Sequence, residues 1–408
     1  MLSKNTYFLL VFLLFFSLIS CAQTNTTNKN STAIKNITIS SKEVLTAAQQ
    51  TKLYVPLLKQ KNIAIVANQT SVIFKNEEEK YTHLVDSLFQ LNITIKKVFS
   101  PEHGFRGKAD AAEAVADGVD KKTGIPLISL YGKNKKPTAE QLAGIDLVVF
   151  DIQDVGVRFY TYISTLHYIM EACAESGIPL LVFDRPNPNA HYVDGPTLKL
   201  EHKSFVGMHP VPLVYGMTIG EYAKMINGEN WLKDNVKCDL TVIPLKNYTH
   251  QIPYSLPIRP SPNLPNDQSI NLYPSLGFFE GTIINAGRGT ENQFQQYGAP
   301  FFPKSDFSYT PQPNFGSKHP KHQDKLCYGV DLKNVERLNS VTIKYIIDAY
   351  NKTPKTEKFF GATFTVHAGN LELEKQLKDG LSAQKIHNSW QPAIEEFKKV
   401  RLKYLMYE

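Results

Sequence analysis

Three short segments concentrate the residue types that can act on a polar substrate. The first is Ser100-Pro101-Glu102-His103-Gly104-Phe105-Arg106-Gly107. Pro101 stiffens the turn, and Gly104 and Gly107 permit backbone shapes or close approaches that a side chain would block. Such a loop holds Glu102, His103 and Arg106 in a fixed relation. A partly buried glutamate there can act as a general acid near neutrality; the competing reading pairs Glu102 with Arg106 as a structural ion pair. The second segment, 151–162, carries Asp151, Gln153, Asp154, Arg158, Tyr160 and Tyr162. Carboxylates and amides that grip hydroxyls, beside aromatic faces that cover an apolar ring surface, are what a pyranose site needs. A divalent-metal site from Glu102, His103, Asp151 and Asp154 is the alternative, which the positive charges of Arg106 and Arg158 oppose. In the third segment, 280–291, Arg288 stands between two glycines and can present its planar fork to a carboxylate. Its structural alternative is a salt bridge to Glu280 or Glu291.

Several other engines are missing. The chain has no GxSxG elbow, no HExxH helix and no GK[ST] phosphate loop, and no GxGxxG follows its first strand. Serine hydrolysis, zincin chemistry and hydride transfer are therefore not expected, and no cofactor is called for. His167, on a helix, and His209, before a proline, read as structural or surface groups.

The elements that must position these residues follow from the hydropathy pattern. Apolar runs at 62–67, 93–99, 126–131, 146–151 and 178–183 read as strands, and helical spacing appears at 82–91 and 163–176. This alternation predicts a parallel sheet covered by helices, a Rossmann-like α/β domain over 41–204. Four strands run into polar clusters, at 68–70, 100–103, 151–154 and 184–187, and open α/β sheets bind ligands at the carboxyl ends of their strands. Helix capping explains one or two such clusters but not Glu-His or Asp-Arg pairs. From about 205 the texture changes to proline-dense turns, a glycine-rich segment at 280–299 and amphipathic helices near 341–350, 371–381 and 390–405. We read 205–408 as a smaller α+β domain that closes the cleft.

The chain has 408 residues and a net charge of +7. Its basic residues are dispersed, with no basic stripe and interleaved aromatics, so nucleic acid is not an expected partner. Lys4, the apolar run 7–19 and Ser20-Cys21 read as a lipoprotein signal peptide, too short and wrongly flanked for a spanning helix, with lipid on Cys21. Residues 22–40 are rich in Thr, Asn, Ser and Lys and read as a flexible tether. The expected location is the cell envelope, anchored to a membrane and facing the periplasm or the cell surface. Cys173, Cys238 and Cys327 are odd in number and lack CxxC spacing, which argues against a disulfide framework or zinc knuckle. Cys173 sits on an apolar helical stripe as a small core residue.

Taken together, the segments resemble the exo-β-N-acetylmuramidase family. The resemblance is carried by 100–107, by 151–162 followed by Ile163-Ser164-Thr165-Leu166, by Asp184-Arg185-Pro186-Asn187-Pro188 and by Gly216-Met217-Thr218-Ile219-Gly220-Glu221. Ser261-Pro262-Asn263-Leu264-Pro265, the segment 280–290 and the closing helix 390–407 continue it, so it spans nearly all of the chain after the tether. Departures fall at Ile283, Asn285 and Gln293, while Arg288, Gly289 and Thr290 are kept. The resemblance implies a Rossmann-like domain beside a smaller C-terminal domain, with the site in the cleft between them. It implies release of N-acetylmuramic acid from the non-reducing end of peptidoglycan-derived chains. Carried onto this sequence it makes Glu102 the catalytic acid, with His103, Arg106, Asp151, Gln153, Asp154, Arg158, Tyr160, Asp184 and Arg185 around the substrate and Glu280 and Arg288 contributed by the second domain.

The expected mechanism is general-acid glycoside hydrolysis. Glu102 protonates the leaving oxygen, a second carboxylate (Asp151, Asp154 or Asp184) stabilises the oxocarbenium or activates water, and Arg288 or Arg106 binds the lactyl carboxylate. The rival readings are a muropeptide-binding lipoprotein that needs the same cleft but no acid, and a metal-dependent envelope hydrolase.

Overall fold

Short, wholly apolar runs are what a parallel sheet covered on both faces requires. In the computed structural model, which describes residues 43–74, 81–107 and 117–408, helix α1 (Thr51–Leu58) leads into strand β1 (Ile63–Ala67), buried along its whole length. A hairpin of β2 (Val72–Phe74) and β3 (Tyr81–His83) and the helix α2 (Leu84–Gln90) connect it to β4 (Ile95–Ser100). The helical pattern seen at 82–91 thus starts later than its spacing implied, because Thr82 and His83 pair with β2. There follow β5 (Gly118–Val119), β6 (Pro126–Ser129), α3 (Ala139–Leu142), β7 (Leu147–Asp151), α4 (Tyr162–Ser176) and β8 (Leu180–Phe183). Helix α5 (Ile219–Gly228) then precedes β9 (Leu240–Ile243).

These strands form a seven-stranded sheet in the order β5-β6-β4-β1-β7-β8-β9, parallel except for the β5–β6 edge pair. The expected α/β class with a Rossmann-like sheet holds. β9 belongs to this sheet although it lies beyond the change of texture near 205. Strand β1 lies between β4 and β7, with Val66 opposite Phe99 and Ala67 opposite Asp151. The chain leaves β1 toward β4 and β6, then returns to the other side of β1 as β7. That reversal opens a crevice beyond the carboxyl ends of β1 and β7, with the end of β4 beside it, where open α/β sheets hold their ligands.

The two-residue period of the strands divides the core. Ile63 and Ile65 face Tyr54 and Leu58 of α1 and Leu84, Val85 and Leu88 of α2. Ala64 and Val66 face the other layer, where α4 packs Ile163, Leu166, Ile169, Met170 and Cys173. Gly177 ends α4 in the left-handed conformation, at φ 64°, a terminus that costs glycine little. Cys173, Cys238 and Cys327 are all buried and unbridged. His167 and His209 are core residues: His167 Nδ1 lies 2.9 Å from His209 Nε2, and His209 Nδ1 lies 2.9 Å from the Tyr222 hydroxyl. Burial pushes both imidazoles down, His167 to about 4.

The second layer continues without a break into the smaller part of the molecule. Helix α6 (Asp267–Leu276) is capped by Asn266, whose side chain accepts from the Ser269 amide. A three-stranded antiparallel sheet follows, β10 (Gln296–Ala299), β11 (Ser308–Tyr309) and β12 (Cys327–Asp331), in the order β10-β12-β11. Four helices complete the chain: α7 (Lys344–Lys352), α8 (Phe364–Ala368), α9 (Glu372–Lys378) and α10 (Ala383–Leu402). Phe278, Phe279, Tyr297, Ile346, Phe364, Ile386 and Trp390 join the same apolar cluster as β7 and α4. This packing draws the 280s and His367 over the crevice. Cys21 and the tether lie outside the described residues; among the described ones, no helix is long and apolar enough to cross a membrane.

Candidate active site

Glu102 stands two residues beyond the end of β4, in a loop whose backbone is held in unusual shapes. His103 and Gly104 both adopt left-handed conformations, at φ 69° and 76°. That geometry costs a non-glycine residue about 1–3 kcal/mol and persists where surrounding contacts impose it. The contacts are visible. Phe105 is buried edge-on against His83, with ring centres 4.8 Å apart. A Cβ on Gly107, at φ 68°, would stand 2.9 Å from the Gln69 side chain. Arg106 binds Asp86 of α2 at 3.0 Å and Asp120 beside β5 at 2.9 Å. Burial opposes charge on those two carboxyls, but the Arg106 guanidinium, with Lys122 at Asp86 and Thr123 at Asp120, outweighs it and holds both below the usual carboxylate range. Arg106 therefore fastens the loop at its base.

Above that base, the Glu102 carboxylate accepts a 2.8 Å hydrogen bond from the Thr161 hydroxyl. Tyr131 also hydrogen-bonds it, and burial together with that carboxylate raises the phenol above its ordinary value. Glu102 lines a cavity of about 260 Å³ between the sheet ends and the smaller part of the molecule. One wall is aromatic: Phe159, Tyr160, Tyr162, Tyr273 and Phe294 meet largely edge to face, with Tyr160 and Tyr162 centred 4.8 Å apart. Phe294, like His103, has a positive φ (52°), so two of the cavity's aromatic rings rest on strained backbone.

Another part of the wall comes from the segment after α6. Arg288 Nη1 donates to Glu280 at 3.2 Å, and His367 Nε2 lies 3.7 Å from the other Glu280 oxygen. Arg288 Nη2 donates to the Gly316 carbonyl, which Asn263 also binds, at 2.7 Å. Lys321 reaches the carbonyls of Phe279 and Thr282 behind Glu280. Burial alone would raise the Glu280 carboxyl, yet His367, Arg288 and Lys321 outweigh it and hold it down at about 2.

The cavity thus gathers Glu102, His103, Tyr160, Tyr162, Glu280 and Arg288 from the residues singled out in the sequence. The others are not on its wall. Asp151 is fully buried and takes a two-pronged ion pair from Arg185, at 2.7 and 2.8 Å, which ties the end of β7 to the end of β8. Asp184 accepts from Thr218 at 2.8 Å, from the Gly220 amide and from the Tyr407 hydroxyl, and so caps α5. Asp154 accepts from the Gly156 amide and the Tyr215 hydroxyl. Gln153 donates to the carbonyls of Asp154 and Pro186. Arg158 is completely enclosed and spends its guanidinium on the carbonyls of Pro196, Val211, His367 and Ala368. The expectation that Asp151, Gln153, Asp154, Arg158, Asp184 and Arg185 face the substrate is corrected on a physical ground. A buried charge must be paired, and these side chains are paired with the protein. The Arg106–Glu102 pair is likewise replaced by the Asp86 and Asp120 contacts. Among the described residues no group of three His, Cys, Asp or Glu side chains is arranged to hold a metal ion.

Residues that the sequence did not single out complete the wall: Tyr131, Thr161, Phe205, Ser261, Asn263, Tyr273, Phe294 and His367. The Ser-Pro-Asn turn at 261–263 was visible as a motif. His367, about eighty residues from Arg288 and on a five-residue helix, carried no signal.

Two family profiles match the chain in sequence. The one described as exo-beta-N-acetylmuramidase NamZ, N-terminal, covers residues 63–268, and its C-terminal counterpart covers 271–407. The chain belongs to the NamZ exo-β-N-acetylmuramidase family. A relative from Bacillus subtilis (strain 168), named peptidoglycan beta-N-acetylmuramidase NamZ, is 38% identical over 99% of this chain and 100% of its own length. Two crystal structures of DUF1343 family proteins from Bacteroides fragilis NCTC 9343 share the architecture. One is 44% identical with a TM-score of 0.82, the other 27% identical with a TM-score of 0.75. Each alignment covers 90% of this chain and 99% of the other. Within this NamZ-family chain the two profiles meet inside the first turns of α6, the helix that carries the Glu280 segment to the cavity.

Proposed function

We propose that the cavity between the sheet ends and the 280s segment is where this exo-β-N-acetylmuramidase removes N-acetylmuramic acid from the non-reducing end of peptidoglycan fragments, with Glu102 protonating the leaving oxygen. The placement of Glu102 carries the reading. It is on the cavity wall, at the carboxyl end of the sheet, in a loop fastened by Arg106 and oriented by Thr161 and Tyr131. The aromatic wall suits the apolar face of a pyranose, and a pocket of this size suits one terminal sugar. Arg288 lines the cavity and, beside its contacts to Glu280 and Gly316, is the cation suited to the lactyl carboxylate that distinguishes muramic acid from glucosamine.

The test is a product assay on a chromogenic N-acetylmuramide beside the N-acetylglucosaminide, with wild type and Glu102→Gln. Wild type is expected to release N-acetylmuramic acid and to favour the muramide. Glu102→Gln should lose about 10²–10⁴-fold in kcat; undiminished turnover would remove Glu102 from the acid role. Release of no sugar by wild type would favour the binding-protein alternative.

The N-terminal pattern supports a location for this activity. The apolar run 7–19 ending in Ser20-Cys21, followed by a polar tether, fits export and lipid attachment at Cys21. The enzyme then works at the envelope, tethered to a membrane beside its polymer.

A further inference from the structure

Acid-assisted cleavage of a glycosidic bond needs a second group to meet the positive charge that grows on the anomeric carbon. The three aspartates that the sequence offered for that task, Asp151, Asp154 and Asp184, are all at most 2% exposed and bonded to other parts of the protein. Among the described residues, the carboxylates that line the cavity are Glu102 and Glu280. They come from different parts of the molecule, Glu102 from the loop after β4 and Glu280 from the turn after α6. Tyr273 lies within the field of both: burial first, then Glu280, then Glu102, raise its phenol above the ordinary value.

We propose that Glu280 is the second carboxylate of the reaction, working in its ionised form in the cavity it shares with Glu102. The assignment rests on the reading of Glu102 as the acid. Arg288 and His367 bracket the Glu280 carboxylate, one at each oxygen, which fixes its orientation and favours its charge. A carboxylate held that acidic accepts protons weakly, so its contribution is charge rather than base catalysis. As the glycosidic C–O bond breaks, its electron pair passes to the leaving oxygen, which takes the Glu102 proton. The positive charge left on the anomeric carbon and ring oxygen is balanced by Glu280. Water then adds to the anomeric carbon, and its released proton passes to the Glu102 carboxylate, restoring the acid.

The experiment compares Glu280→Gln with Glu102→Gln on two N-acetylmuramides, one with an ordinary phenol as leaving group and one with a far more acidic dinitrophenol. Glu280→Gln keeps the side chain's shape and removes its charge. We expect kcat to fall about 10³-fold on both substrates, with KM within about threefold of wild type. Glu102→Gln should recover much of its loss on the acidic leaving group, which departs without a proton. A Glu280→Gln defect confined to KM, or one that shrinks on the acidic leaving group, overturns the proposal. Should thermal denaturation show Glu280→Gln unfolded, Glu280→Ala is assayed with added azide. Restored turnover with formation of muramyl azide supports the assignment, and no restoration in a folded variant overturns it. Full activity of Glu102→Gln on a natural disaccharide would instead defeat the acid assignment, an outcome separate from the Glu280 measurements.

Discussion

At the scale of single residues, the molecule sorts its carboxylates by what encloses them. Glu102 and Glu280 remain at the cavity wall, while Asp151, Asp154 and Asp184 are enclosed by donors of the protein itself. Asp154 carries a measurable consequence. Burial raises its carboxyl to about 6 from an ordinary 3.8, against the lowering effect of Tyr215 and the Gly156 amide. The folded form therefore takes up a proton more readily than the unfolded one. Its contribution to stability is fully present below about pH 4, declines as pH rises through about 6 and is level above that, a change of about 2–3 kcal/mol. Asp184, raised to about 7, acts in the same sense. Asp154→Asn keeps an acceptor for Gly156 and removes the titration, so denaturation midpoints of this variant should fall less steeply between pH 4 and 6 than those of wild type. An unchanged slope would place the titration elsewhere.

At the scale of elements, the loop after β4 is a strained turn held by its neighbours as well as by its own Gly104 to Pro101 backbone hydrogen bond. The clamp of Arg106 on Asp86 and Asp120 is the part within reach of a substitution. Arg106→Gln leaves two mostly buried carboxylates short of a cation, with Lys122 still at Asp86. Because Arg106 itself is 31% exposed, solvent screens the pair, and the expected loss of stability is about 1 kcal/mol. The sign with pH follows from the depressed carboxyls: the clamp contributes above about pH 4 and is lost below it. Activity should suffer more than stability, about tenfold in kcat, because Glu102 rides on the loop. Kinetics and thermal denaturation at neutral pH decide this, and wild-type kcat in the variant would show that the clamp does not orient Glu102. Arg158 works on a longer reach, joining the segment after β7 to the carbonyls of His367 and Ala368 and so setting the position of the His367 ring.

At the scale of the whole molecule, one apolar layer runs from the sheet through α4 and α5 into the helices of the smaller part, and the last residues of the chain return to the sheet. Tyr407 donates to Asp184, and Glu221 accepts from the amides of Met406 and Tyr407. The cleft walls are thus parts of one packed body from β1 to the C-terminus. The proposed tether gives that body its place. Palmitate labelling of cells expressing the chain should mark wild type and leave Cys21→Ala unmarked, with Cys21→Ala released into the soluble fraction; equal labelling of the two would remove the anchor.

Much of this was legible in the residues alone, for a physical reason. Apolar runs of strand length that alternate with helical spacing specify a layered α/β fold, because each face must be covered. Proline and glycine around Glu102 marked a shaped turn, since those residues alter backbone freedom locally. The strand order, the junction at β9 and most partners of the charged residues were not legible, the Arg288–Glu280 pair being an exception. Asp151 and Glu102 look alike in sequence, each a carboxylate just beyond or at the end of a strand. Only the tertiary structure shows that Arg185 encloses one while the other faces the cavity, because pairing depends on residues distant in the chain. Glu280 is the clearest case: its identity was visible, but its charge is set by Arg288, His367 and Lys321, which meet only when the chain is folded.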